Sequence, residues 1–89
     1  MKAIITVLGK DKIGIIARVS TYLSERQINI CDLSQNIVSG YFNMMMIVDL
    51  DLSTESFEQT AAGLETLGNE IGLEIRLQHE GIFESMHRI

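Results

Sequence analysis

Two stretches of this chain carry apolar side chains at consecutive rather than alternate positions, which limits where they can sit. Ala3-Ile4-Ile5-Thr6-Val7-Leu8 is short, rich in β-branched residues and closed by Gly9. Phe42 to Leu50 puts Phe42, Met44, Met46, Val48 and Leu50 on one side of a strand and Met45 and Ile47 on the other. Strands apolar on both faces belong in the middle of a sheet with both sides covered. A fold for this chain must therefore provide two central strands.

The segments around them read differently. Ile15/Ile16, Val19 and Tyr22/Leu23 recur at spacings of three and four, which predicts an amphipathic helix ending near Gln27. Ile28 to Ser39 is apolar at its start, polar at Ser34-Gln35-Asn36 and apolar again at Ile37-Val38, as expected of one long, bent or bulged strand. Ser39-Gly40 is a tight-turn pair leading into the strand Phe42–Leu50. Ser53 or Thr54 is the expected cap of a second helix, with Glu55 and Glu58 in its first turn, where the helix dipole favours negative charge. Phe57, Ala61, Leu64, Gly68 and Ile71 form its apolar stripe. Gly63 and Gly68 each cost about 1 kcal/mol against Ala inside a helix, so they either permit close approach to the sheet or weaken the helix. Beyond Gly72, Leu73, Ile75 and Leu77 alternate with Glu74, Arg76 and Gln78, the pattern of a strand with one wet face. Ile82, Phe83, Met86 and Ile89 follow Gly81 at a spacing that predicts a short tail helix docked on the sheet or on a partner chain.

The order is βαββαβ, so the expected class is α+β: a ferredoxin-like sandwich with a four-stranded antiparallel sheet. Right-handed crossovers place both helices on one face of it. Residues 1–80 are expected to form the domain and 81–89 its tail. The helix-free face, with Ile4, Leu8 or their neighbours beside Met45 and Ile47, then needs a cover, and a second copy of the chain is the expected one. Pairing would also relieve the thin stability of an 89-residue domain, which buries only about 60–65% of its unfolded surface.

Seven basic against twelve acidic residues give a net charge of −5. Nucleic-acid affinity comes mostly from basic side chains on phosphates, so nucleic acid is not an expected partner. No run approaches the ~20 apolar residues that span a bilayer, and the N-terminal stretch lacks the layout of a secretory signal. The expectation is a cytoplasmic protein without a membrane partner. A single cysteine, Cys31, excludes an intrachain disulfide and any Cys-based zinc motif, and is expected to be a small buried hydrophobe. Met44-Met45-Met46 reads as core and interface filler. His79, Glu84 and His87 are expected to be solvated rather than metal ligands. No nucleophile elbow, phosphate-cradling loop or paired-histidine helix is present in the sequence. No catalytic residues, enzyme activity or cofactor are expected.

This plan serves many functions, so the site must discriminate. An RNA-recognition sheet needs stacking aromatics on its central strands, a copper carrier needs paired cysteines after the first strand, and acylphosphatase-like chemistry needs an arginine in the first loop. That loop offers Lys10 and Lys12 instead. The run Ile5-Thr6-Val7-Leu8-Gly9-Lys10-Asp11-Lys12-Ile13-Gly14-Ile15 resembles the opening of an ACT domain, in which a strand runs into a Gly-x-Asp-x-x-Gly-Ile loop and the first helix. Val19 and Leu23 continue that helix pattern, and Ile28-Asn29-Ile30 resembles the family's Asn-Ile start of the second strand. The resemblance spans Met1 to Gln78 and is nearest to free-standing single-ACT proteins and to the ACT halves of glycine-cleavage-type regulators. It implies that two copies pair and that amino acids or similar small molecules bind near the first loop and the dimer interface. One departure stands out: the family often has Pro before the final loop glycine, where this chain has Ile13.

The residues themselves suit such a site. Gly14 turns the backbone into the helix and leaves unpaired N–H groups at its positive end, where a carboxylate fits. Asp11 can accept from an ammonium group, and Asn29 can both donate and accept. In another protein the same Asp and Gly would be an ordinary turn signal, and the Asn would satisfy local backbone. The candidate ligand-binding residues are Asp11, Lys12, Ile13, Gly14 and Asn29. The expected function is a homodimeric, amino-acid-binding regulatory module. The alternative is an interaction module with a vestigial ligand site that modulates a partner protein.

Overall fold

The computed structural model describes residues 1–81; the tail helix expected at Ile82, Phe83, Met86 and Ile89 lies outside the described residues. The elements are β1 (Lys2–Lys10), α1 (Ile15–Glu25), β2 (Asn29–Val38), β3 (Tyr41–Asp49), α2 (Phe57–Ile71) and β4 (Glu74–His79). They form one antiparallel sheet in the order β2-β3-β1-β4, so the two doubly apolar strands are the central ones. The fold is the ferredoxin-like sandwich that the order of elements predicts.

Alternation along the strands sorts the side chains into two layers. Ala3, Ile5 and Val7 of β1 and Phe42, Met44, Met46 and Val48 of β3 form a buried core with Ile15, Val19 and Leu23 of α1 and Leu64 and Leu67 of α2. Burying each such side chain contributes about 1.5–3 kcal/mol, which outweighs the weak intrinsic preference of any single helix.

Helix α2 begins later than the sequence suggests, and the cap is Ser56 rather than Ser53 or Thr54. The Gln59 N–H donates to Ser56 Oγ at 3.1 Å, and the Ser56 N–H donates to Gln59 Oε1 at 2.9 Å. This reciprocal capping box satisfies two orphan donors where a lone hydroxyl would satisfy one. Only Glu58 therefore stands in the first turn. Glu55 precedes the helix and accepts from Arg26 Nε at 2.9 Å.

The helix glycines are explained by close approach. A Cβ on Gly68 would meet the Leu73 carbonyl oxygen at 2.6 Å, so α2 lies tight against the start of β4. A Cβ on Gly63 would fall on the Tyr22 hydroxyl and lie 2.8 Å from its Cζ. That phenol is pinned: the Arg26 guanidinium sits 3.6 Å from the ring centroid, and Arg26 Nη1 donates to the Tyr22 carbonyl at 3.1 Å. Gly63→Ala is expected to destabilise by about 1–2 kcal/mol, because overpacking outweighs the roughly 1 kcal/mol gained in helix propensity. Tyr22→Leu, measured in the same denaturant titration, should recover most of that loss in the double variant.

Burial raises the Tyr22 pKa above its ordinary 10.0, with Arg26 partly opposing. The unfolded chain therefore loses this proton first. The contribution to stability is whole below pH 10 and is lost as pH climbs through the raised value. Phenolate absorbance of a Tyr41→Phe variant should show a midpoint above 10; a midpoint at or below 10 would mean that burial does not outweigh the opposing Arg26 charge.

Two expectations about the surface need correction. Cys31 is exposed, because it lies at a bulge of the edge strand β2, where the register shifts between Ile30 and Asp32. The helix-free sheet face is also less bare than its pattern implies. Ile4 is only 2% exposed and Met45 and Ile47 are half-buried, while Leu8 remains 43% exposed. The long uncovered element is instead β2, exposed at every residue except the half-buried Ile30.

Candidate ligand site at the first loop

Gly14 sits in the left-handed region at φ 87° and caps α1. Its carbonyl accepts the first helical bond, from the Arg18 N–H at 2.9 Å. No side chain caps this end and no acidic residue stands in the first turn. The Ile15, Ile16 and Ala17 N–H groups precede the first helical donor, and such groups favour an anion. A Cβ at Gly14 would meet nothing within 4 Å, so backbone shape rather than space calls for glycine here.

The loop before it is pinned at both ends. The Asp11 N–H donates to the Gly40 carbonyl at 2.9 Å, which ties it to the β2–β3 turn. Lys12 Nζ donates to the Ile71 carbonyl at 2.7 Å, placing a cation at the negative C-terminal end of α2. Gly72, at φ 71°, completes that end. Lys12 is thus already engaged by α2. Ile13 projects fully into solvent at 105% exposure.

Two small hollows flank Gly14. One, of about 200 Å³, lies between the loop and the overhanging edge strand, with Asp11, Gly14, Ile16, Gln35, Ile37 and Phe42 among its lining residues. The other, of about 170 Å³, runs from Ile13 and Arg18 to Ile71. Both are smaller than the roughly 300–1,000 Å³ typical of drug-sized ligands, and fit a smaller molecule. The first holds what a zwitterion requires: unpaired N–H groups, a carboxylate, a side-chain amide and apolar walls. A larger hollow of about 600 Å³ between α2 and β4 has less to offer, since its Arg76 is already paired with Glu74 at 2.6 Å.

The structure brings Asp11, Lys12, Ile13 and Gly14 together but not Asn29. Lys2 and Asn29 both pair with Asp49, while Lys10 and Val38 both pair with Tyr41. Asn29 therefore lies at the opposite end of the sheet, about eight strand residues or roughly 26 Å away from the loop. The expectation that it neighbours the loop within one chain is corrected by this register. The polar side chain that does reach the loop is Gln35. Its signal was present in the polar Ser34-Gln35-Asn36 run inside an apolar strand, but only the register turns Gln35 toward the helices.

Among the described residues no three His, Cys, Asp or Glu side chains come together as a metal set. His79 stacks on Phe57, with ring centroids 4.0 Å apart and planes within 6°. No helix among the described residues is long and apolar enough to cross a membrane.

The profile of the ACT domain family matches residues 2–78. The chain belongs to the ACT domain family. A UPF0237 protein of Bifidobacterium longum is 57% identical over 88 residues, covering 99% of this chain and 98% of its own length. The solved structure of an ACT domain protein from Streptococcus pneumoniae superposes with a TM-score of 0.82 at 43% identity, covering 94% of each chain. The regulatory subunit of aspartate kinase from Thermus thermophilus matches with a TM-score of 0.68 at 29% identity, over 86% of this ACT domain and 50% of that chain.

Proposed function

We propose that this ACT domain is a homodimeric regulatory module that binds a free amino acid or a close analogue at the Asp11–Gly14 loop. The observation that carries this reading is the uncapped N-terminus of α1, opening into a small hollow shared by Asp11 and Gln35. The ligand carboxylate meets the Ile15–Ala17 N–H groups, Asp11 takes the ammonium, and Ile37 and Phe42 wall the side chain. Ligand occupancy then changes the behaviour of a regulated protein.

The dimer forms through β2. A long free edge is a template for strand pairing unless charge, Pro or brevity blocks it. The edge strand β4 has six residues and carries Glu74 and Arg76, whereas β2 has ten residues with one charge, Asp32, and no Lys, Arg or Pro. Two copies of β2, paired antiparallel about a two-fold near Leu33 and Ser34, bring Asn29 of the partner subunit beside Val38, at the loop end of the sheet. Each site then draws Asp11 and Gln35 from one copy and Asn29 from the other. The second reading, an interaction module with an empty hollow, is favoured by one observation: the fully exposed Ile13 at the loop tip.

Thermal denaturation against the common amino acids separates the two. A ligand at a hundredfold excess over its Kd adds about 2.7 kcal/mol, or roughly 10–20 °C in Tm for a domain of this size. Asp11→Ala should leave the unliganded Tm unchanged, because the side chain is exposed and the 2.9 Å bond to Gly40 is made by the backbone. It should weaken the ligand about tenfold to a hundredfold by removing a charged hydrogen bond. No shift with any amino acid would favour the interaction module.

A further inference from the structure

We propose that the outer edge of β4 and the flank of α2 beside it form a docking groove for an extended, basic peptide segment of a partner protein. β4 ends the sheet and pairs only with β1, so among the described residues its outer N–H and C=O groups have no strand beside them. The hollow of about 600 Å³ between α2 and β4 runs along this edge. Glu65, Asn69 and Gly72 stand four and three residues apart, on one flank of α2, and line the hollow together with the first residues of β4. A strand added here is bonded through its main chain and selected through alternate side chains that face the helix. Gly68 lets α2 approach so closely that an added Cβ would meet the Leu73 carbonyl oxygen at 2.6 Å, so the groove is fixed before a peptide arrives and little ordering opposes binding.

The lining decides which side chain faces the helix. Leu73 and Ile75 supply apolar surface, and the glycines at 68 and 72 leave it uncovered by side chains of α2. Glu65 is exposed at the rim, with the Asn69 amide one turn further on. Among the described residues Glu65 has no ion-pair partner. Arg76 does not serve as one, because it is paired with Glu74 at 2.6 Å, and both stand opposite Thr6 and Leu8 on the helix-free side of the strand. An aliphatic stem ending in a cation matches this arrangement: its methylenes lie on Leu73 and Ile75 while its head stays wet beside Glu65. Lysine and arginine have that form, whereas a peptide carboxylate would meet Glu65 as a like charge. A second copy of the chain fits less well. Two β4 edges paired antiparallel would bring two α2 flanks, each with its Glu65, over one seam. The groove is thus left to a different chain, while β2 serves the pairing of two copies.

The test titrates the full-length protein with two peptides and follows its amide signals by nuclear magnetic resonance. Acetyl-Thr-Lys-Val-Lys-Val-Thr-amide, at millimolar concentration, should shift the signals of Glu74–His79 and of Glu65 and Asn69. The same peptide with glutamate for both lysines should shift none of them. Glu65→Lys, at an exposed helix position, should keep the parental Tm, weaken the basic peptide about fivefold to tenfold and admit the acidic one. N-methylation of alternate residues in the basic peptide should abolish the shifts, because strand addition uses the main chain. Equal shifts from both peptides, shifts confined to β2 or the Asp11–Gly14 loop, or no shift at all would overturn the proposal. So would β4 signals that move with protein concentration alone, since a second copy would then occupy this edge.

Discussion

Gly68→Ala is expected to destabilise the domain by about 2–3 kcal/mol, lowering Tm by roughly 10–20 °C. Two effects oppose each other at this position. Alanine gains about 1 kcal/mol in helix propensity, which alone would stabilise α2. The added methyl, however, would sit 2.6 Å from the Leu73 carbonyl oxygen and 3.2 Å from Ile75 Cγ1. The obstacle at Leu73 is backbone, and the Leu73 N–H is itself bonded to the Gly68 carbonyl at 2.8 Å, so the turn into β4 cannot swing aside without losing that bond. The clash therefore wins. Gly81→Ala, where a Cβ meets nothing within 4 Å, serves as the control and should be nearly silent. Equal Tm values for Gly68→Ala and the parent would show that α2 does not lie this close to β4.

Ser34→Lys should convert the dimer to monomers at micromolar concentration. The position is exposed on the edge strand, so the monomer fold should be unaffected. Near a two-fold the substitution brings two like charges face to face, and lysine on an edge is a recognised barrier to strand pairing. Each 1.4 kcal/mol lost weakens association about tenfold, and two repelling, desolvated ammonium groups should exceed that. Sedimentation of the parent and the variant at matched concentrations checks this. A variant that stays dimeric would place the interface elsewhere. If the parent itself is a monomer, the shared-site reading falls with it.

The pattern of side chains carried the fold further than it carried the site. Doubly apolar Ala3–Leu8 and Phe42–Leu50 are central because nothing else can cover both faces, and Ser39-Gly40 turns because its composition leaves little choice. The start of α2 was less legible: Ser53, Thr54 and Ser56 are equivalent as hydroxyls, and only the reach of Gln59 back to Ser56 separates them. For the site, the Asp11–Gly14 loop could be read locally because one turn holds it. Asn29 and Gln35 could not, since they stand six positions apart on a long strand with a bulge and the register decides which one meets the loop. Exposure of Cys31 was hidden for the same reason, as bulges and edges are properties of pairing rather than of composition.

Complementation between two disabled variants tests the shared site most directly. Asp11→Ala removes the carboxylate from its own loop, and Asn29→Ala removes the amide that is lent to the other copy. Titration calorimetry with the amino acid that gives the largest thermal shift should find weak binding to each variant alone. When the two are mixed and allowed to exchange, a heterodimer carries one site with Asp11 and Asn29 both intact. Parental affinity should then return, at one site per heterodimer. A mixture that binds no better than the separate variants would contradict a site completed across two copies. Parental affinity in both variants alone would place the ligand away from the Asp11–Gly14 loop altogether.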